Sequence, residues 1–307
     1  MKEVSIVIPA YQSAEWIEAS VASCLSQTHP PLEVVVVDDG STDGTAEICA
    51  ALGGHVRYEK LANGGVSRAR NVGASLTSGE WIVFLDADDV LLPHALEVLV
   101  GTAVKADAGV AYGMVIERAA PGSLPRLNGF SFAAGEAPTA ARRTLYRGAI
   151  ITPGSAVVRR DVHRASGGFV TGFEPLEDRD YWAKCGCVSR VAHCDTVVLD
   201  KTWRPESHGS QHAKRVFRGQ RAQRDLRGWL RERGLDADWM PTDKALIRRA
   251  LDEAVTWRCA EIVPPLLELA GHHGIRHWKA RAYSLFARKR APSWIGEEPR
   301  VTGFDGK

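Results

Sequence analysis

From residue 4 onward the chain alternates short, wholly apolar runs with longer stretches that are apolar on one side only. Val4–Ile8, Glu33–Val37, Val56–Tyr58, Glu80–Leu85 and Val110–Ile116 read as strands, because an apolar run bounded by turn residues fits a strand buried on both faces. Ile17, Val21, Cys24 and Leu25 line one side of a helix between the first two. Thr45–Leu52 follows the capping residues Ser41, Thr42 and Asp43, Val66–Leu76 is helical, and Pro93 suits the first turn of the next helix. This βαβα order predicts an α/β fold with a Rossmann-like, mostly parallel sheet covered by helices on both faces. Residues 119–138, rich in Pro, Gly, Ala and Ser, read as a loop. A helix near Thr139–Tyr146, a strand near Ser155–Val158, a helix ending at Gly167-Gly168-Phe169, a helix opening at Glu177 and a last strand at Val197–Leu199 follow. Beyond Gln211 strand signals vanish and arginine becomes frequent, with helical stretches at about 213–233, 243–258, 261–270 and 275–289. The expected organisation is an α/β domain over 1–211 and an all-helical region over 212–307.

Composition changes this picture little. Of 307 residues, 45% are hydrophobic and 25% charged, as in a soluble globular protein. A net charge of +2 gives no reason to expect a nucleic-acid partner. With no leader pattern and no apolar run of bilayer length, the expected compartment is the cytoplasm. The six cysteines suit unpaired thiols there. Cys185-Gly186-Cys187 with His193-Cys194 lacks the usual Cys-x2-Cys spacing of a zinc site, so these read as buried apolar cysteines. His272, His273 and His277 lie in a basic stretch and read as part of a solvated helix.

Two strands end in acids. Val34–Val37 runs into Asp38-Asp39-Gly40-Ser41, and Trp81–Leu85 into Asp86-Ala87-Asp88-Asp89. Carboxylates just past such strands sit at the carboxyl edge of the sheet, where open α/β folds bind ligands. Hard divalent cations take a few carboxylate oxygens plus substrate phosphates, and three carboxylates in four residues exceed what a helix cap needs. Between the two edges, the loop Asn63-Gly64-Gly65 enters a helix carrying Arg68 and Arg70, whose donors suit a diphosphate, although taken alone the stretch reads as a solvated helix with two exposed arginines. No phosphate-binding Gly-x4-Gly-Lys-Ser/Thr loop and no Gly-x-Gly-x-x-Gly follows the first strand, which argues against a P-loop NTPase and a nicotinamide dehydrogenase.

Taken in order, these blocks resemble the family-2 glycosyltransferases. The run Val4-Ser5-Ile6-Val7-Ile8-Pro9-Ala10-Tyr11, then Asp38-Asp39 with Asp43, is similar to the opening of that family. Gly65-x-x-x-Ala69-Arg70-Asn71-x-Gly73 and Phe84-Leu85-Asp86-Ala87-Asp88-Asp89 resemble its next blocks, and Gly167-Gly168-Phe169, Glu177-Asp178, and Trp203-Arg204 with His208-Gly209-Ser210 its later half. The resemblance spans about residues 3–211; the helical tail has no counterpart.

It implies a GT-A-type fold, a nucleotide-diphosphate sugar donor, Mn2+ or Mg2+, and transfer with inversion. Pro9, Tyr11 and Asp39 fall where the family holds base and ribose, with Asp39 suited to a uracil-like N–H and hence to UDP. Arg70 matches a nucleotide-side basic position, Asp86 a ribose- or metal-side carboxylate, Asp88 the principal metal ligand, and His208 a looser second ligand. Asp178 matches the catalytic base, although Glu177 and Asp180 are close enough in sequence to share that role. Trp203 stands where the family more often has tyrosine. The chemistry needs such parts: an ion to neutralise the departing diphosphate and one carboxylate to deprotonate the acceptor. The expected acceptor is a saccharide or lipid-linked molecule in surface polysaccharide or glycolipid biosynthesis. A basic aromatic stretch, with Trp278, Tyr283 and Phe286 among Arg276, Lys279 and Arg281, fits peripheral contact with the inner face of the cell membrane, set against core-facing aromatics on a packing helix. The alternatives are a sugar nucleotidyltransferase, which would carry a glycine-rich basic loop where Pro9-Ala10-Tyr11-Gln12 stands, and a catalytically silent sugar-nucleotide-binding scaffold.

Overall fold

The computed structural model describes residues 2–118, 125–128, 135–137, 151–173, 176–202, 223, 225–235, 237–238, 240, 242–256 and 263–272. The chain divides into two compact units, residues 1–208 and 209–307. In the first unit the described elements are β1 (Val4–Ala10), α1 (Ile17–Leu25), β2 (Glu33–Asp38), α2 (Thr45–Ala51), β3 (Val56–Lys60), α3 (Val66–Leu76), β4 (Trp81–Phe84), β5 (Val90–Leu91) and α4 (Ala95–Lys105). They continue as β6 (Val110–Arg118), β7 (Arg126–Asn128), β8 (Ala156–Arg159), α5 (Arg160–Ser166), α6 (Glu177–Val188) and β9 (Val191–Thr202).

The strands form one sheet in the order β3-β2-β1-β4-β8-β6-β9-β5, with β7 on β6. Every residue of β1 is buried, because the sheet is covered on both faces. Ile6, Ile8, Val34 and Val36 share one core with Ile17, Val21 and Leu99. On the opposite face Val7, Ile82 and Phe84 pack with Phe169, Tyr181 and Trp182. Successive residues of a strand point to opposite faces, so a run apolar at every position feeds both cores. Helix α3 lies close on β1: a Cβ added at Gly73 would stand 2.2 Å from Val7 Cγ1.

The parallel expectation holds from β3 to β4. Beyond β4 the sheet is mixed. β8 runs antiparallel to both β4 and β6, while β9 is parallel to β6. An apolar run reads the same in either direction, so the pattern located β8 without orienting it. β9 is longer than the expected Val197–Leu199, since polar His193 and Asp195 break the apolar run while the backbone stays paired, with shifted register, to β6. The expected loop over 119–138 contains β7, paired with β6, and Gly135 bridges to Val191. The helix expected near 139–146 lies outside the described residues, as do residues 203–222 with Trp203, Arg204 and His208.

In the second unit, 225–232, Asp243–Thr256 and Val263–His272 are helical. The last two pack on one another, with Leu246, Ile247, Ala250, Val263 and Leu266 buried. The stretch over 275–289 lies outside the described residues. Among the described residues no helix is long and apolar enough to cross a membrane.

Candidate active site

Strands β1, β2, β3 and β4 are parallel, so their carboxyl ends share one edge of the sheet. β9 points the same way, being parallel to β6, which β8 relates to β4 through two antiparallel pairings. That edge collects Tyr11 after β1, Asp39 after β2, the loop from β3 into α3, Asp86 and Asp88 after β4, and Lys201 near the end of β9. β1 also outruns β4. Its last pair with β4 is Val7 with Phe84, and Ile8, Pro9 and Ala10 pair with β2 alone. Pro9, which has no N–H, thus sits where β1 has a neighbour on one side only. The crevice beside it, where the strand order reverses, is where open α/β sheets take ligands. Tyr11 is 56% exposed above it.

The neighbouring acids of β2 behave differently. Asp38 is fully buried and accepts from Ser41 N–H (2.7 Å) and Tyr58 O–H (2.5 Å). Burial and then this bond hold the Tyr58 phenol well above its usual range. Asp39 accepts from Gly64 N–H (2.9 Å) on Oδ1 and from Gly65 N–H (2.8 Å) on Oδ2. It therefore pins the loop that opens α3, which Gly65 enters with φ of +90°, a conformation that favours glycine.

Arg70 of α3 is 3% exposed. Its Nη2 donates to Asp86 Oδ1 (2.8 Å), its Nη1 to Glu177 Oε1 (3.0 Å), and its guanidinium stacks 5.0 Å from the Phe169 ring centre. Burial opposes this charge, but Asp86 and Glu177, with a smaller pull from Asp178, hold the guanidinium above the usual arginine range. At the position for which the resemblance implied a nucleotide-side contact, the structure shows a buried cation bonded to two carboxylates. On the other side of Asp86, Lys201 Nζ stands 3.7 Å from Asp86 Oδ2 and 3.1 Å from Asp89 Oδ2. Burial pushes the fully enclosed Asp89 carboxyl up to about 8, against the pull of Lys201. Asp89 N–H donates to Asp86 O (3.0 Å), folding the acidic run into a tight turn that leaves Asp88 half-buried.

Three acids open α6. Glu177 is tied to Arg70 and, through Oε2, to Leu176 N–H (3.0 Å). Asp180, buried, pairs with Lys184 Nζ (2.7 Å). Asp178 is half-buried and accepts from Arg179 N–H (2.7 Å). The Gly-Gly-Phe block is docked on α3: Asn71 Nδ2 donates to Phe169 O (2.8 Å), and Phe169 N–H donates to Asn71 Oδ1 (2.9 Å).

Of the residues singled out from the sequence, Tyr11, Asp39, Asp86 and Asp88 meet at the edge, with Pro9 buried beneath and Arg70 buried behind. His208 lies outside the described residues. The sequence pattern singles out neither Lys201 nor the Arg70–Glu177 bond. Lys201 follows the apolar run Val197–Leu199 by two positions, as Asp39 follows Val37, and a parallel β9 would have placed it. Among the described residues no three His, Cys, Asp or Glu side chains gather in a metal-holding group. Two strand-edge carboxylates, Asp86 and Asp88, still fit a hard divalent cation that draws its remaining oxygens from a diphosphate. Cys185 and Cys187 are buried on α6, and burial pushes both thiols up to about 12.

The sequence profile described as "Glycosyl transferase family 2" matches residues 5–167, just over half of the chain. The chain belongs to glycosyl transferase family 2. Among curated relatives, Glycosyltransferase GlyG of Streptococcus pneumoniae is 36% identical over 114 residues, 36% of this chain and 38% of that protein. The match thus spans little more than a third of that relative's length. Among solved structures, S. aureus TarS 1-349 in complex with UDP-GlcNAc superposes with a TM-score of 0.65 at 19% identity, covering 93% of this chain and 79% of that one. Mannosyltransferase PcManGT from Pyrobaculum calidifontis, in complex with GDP-Man and Mn2+, gives 0.55 at 18% identity, covering 93% and 84%. The fold of this family-2 chain is accordingly of GT-A type.

Proposed function

We propose that this family-2 chain transfers a sugar from a nucleoside-diphosphate donor, UDP-linked by preference, to an acceptor hydroxyl with inversion, in surface polysaccharide or glycolipid biosynthesis. The observation that carries this is the shared strand edge, which sets Tyr11, Asp39, Asp86 and Asp88 around one crevice. Tyr11, exposed above Pro9, offers a face for the base. An ionised carboxylate has about four acceptor sites, so the two backbone donors on Asp39 leave capacity for uracil N3–H, a donor cytosine lacks. Asp86 stands on the ribose or metal side. A divalent ion, Mn2+ or Mg2+, held by Asp88 would neutralise charge on the departing diphosphate. Asp178, half-buried in the opening turn of α6, takes the acceptor proton. One carboxylate base implies a single in-line displacement and hence inversion. A nucleotide-sugar binding screen with and without Mn2+, followed by NMR of the product's anomeric coupling, tests this. UDP-sugars should bind best and only with metal, and the product should carry the opposite configuration from the donor. Retention, or Mn2+-independent preference for another nucleotide, would overturn it.

A further inference from the structure

We infer that Arg70 is a positioning residue that locks the aspartate edge of β4 to the opening turn of α6. Building on the proposed function, it sets the donor-side carboxylate Asp86 and the acceptor-side turn carrying Asp178 in one register. The guanidinium is 3% exposed, and its two terminal nitrogens reach carboxylates on different elements: Asp86 at 2.8 Å and Glu177 at 3.0 Å. A rigid planar fork holds two such groups at a fixed angle, whereas an ammonium is a point charge on a flexible stem. Its own place is fixed from both sides. Phe169 stacks on it at 5.0 Å, and Asn71, the next residue of α3, clamps the Phe169 backbone through two hydrogen bonds. Gly73, one turn further on, seats α3 against Val7.

The bridge makes Glu177 act on Asp86. In Glu177→Gln the guanidinium charge falls mainly on Asp86, which weakens that carboxylate as a partner for a cation–diphosphate ligand. Calorimetric titration of UDP with Mn2+ against the parent, Glu177→Gln, Asp86→Asn and the double variant reads this coupling. The expected result is a loss of roughly threefold to thirtyfold in affinity for Glu177→Gln that disappears in the Asp86→Asn background. Arg70→Lys, which keeps the charge but loses the planar fork, should reproduce the loss. A merely structural role would lower the melting temperature of these variants while leaving UDP–Mn2+ affinity unchanged, or would give additive losses, and either outcome overturns the inference. Hydrogen exchange supplies a readout free of ligand: Asp86→Asn should speed amide exchange over residues 177–182, and unchanged exchange there would equally overturn it. If the parent protein does not bind UDP with Mn2+, the proposed function falls, while the exchange experiment still decides the bridge.

Discussion

At the residue scale, adjacent acids divide into those that hold the protein together and those that face its crevice. Asp38 is fully buried and bonded to Ser41 and Tyr58, whereas Asp39 holds the Gly64–Gly65 loop at the rim. Asp39→Ala removes two charge-assisted acceptors, so a loss of about 1–3 kcal/mol in denaturant unfolding is expected. The same variant should narrow the preference for UDP over CDP in a titration; a preference that survives intact would restrict Asp39 to the loop. Among the three acids opening α6, Glu177 and Asp180 are each held by a buried cation. Asp178→Asn keeps the size of the side chain but cannot accept a proton. Turnover should fall by about two to four orders of magnitude, with donor affinity retained. Near-normal single-turnover rates would remove Asp178 from the base role.

At the element scale, the contact of α5 with α6 carries a built-in pH dependence. His163 of α5 is bonded to Tyr181 O–H (2.9 Å) and lies beside the Phe84 ring. Burial, reinforced by Arg160 and Arg164, lowers its imidazole to about 4 from an ordinary value near 6.5. The unfolded chain therefore takes up a proton at a higher pH than the folded one does. The resulting stability is fully present above about pH 6.5 and is lost as pH falls toward 4. The loss should be on the order of 2 kcal/mol, allowing for the partial exposure of the ring. His163→Phe, which keeps an aromatic ring at this contact, should flatten that part of the stability–pH curve. A parent curve already flat between pH 6.5 and 4 would show that the imidazole titrates in the folded state as it does in water.

At the scale of the whole molecule, ligand and metal should stabilise the first unit by mass action. Saturating UDP with Mn2+, at about a hundred times the dissociation constant, contributes about 2.7 kcal/mol, or several degrees in melting temperature for a unit of this size. Chelation with EDTA should remove the shift, and Asp88→Asn should abolish it without lowering the melting temperature of the free protein. A shift that persists in Asp88→Asn would take the metal role away from this residue. Much of this organisation was legible in the chain itself. Val4–Ile8 and Glu33–Val37 declare themselves strands as apolar runs bounded by turn residues, Val66–Leu76 declares a helix by its apolar period, and Asp39, Asp86 and Asp88 declare themselves by following apolar strands. Such patterns are local, because a buried strand or an amphipathic helix is written in the apolar residues of one short segment. What the tertiary structure alone decided is which distant charges meet. Arg70 and Glu177 are 107 positions apart, Lys201 and Asp89 are 112 apart, and no periodicity links them. Those contacts follow from strand order and direction, in particular from the antiparallel β8 that returns β9 to the same edge as β4. Local sequence thus set which residues are strand, helix or turn, and the topology of the sheet set which of their charges are buried together.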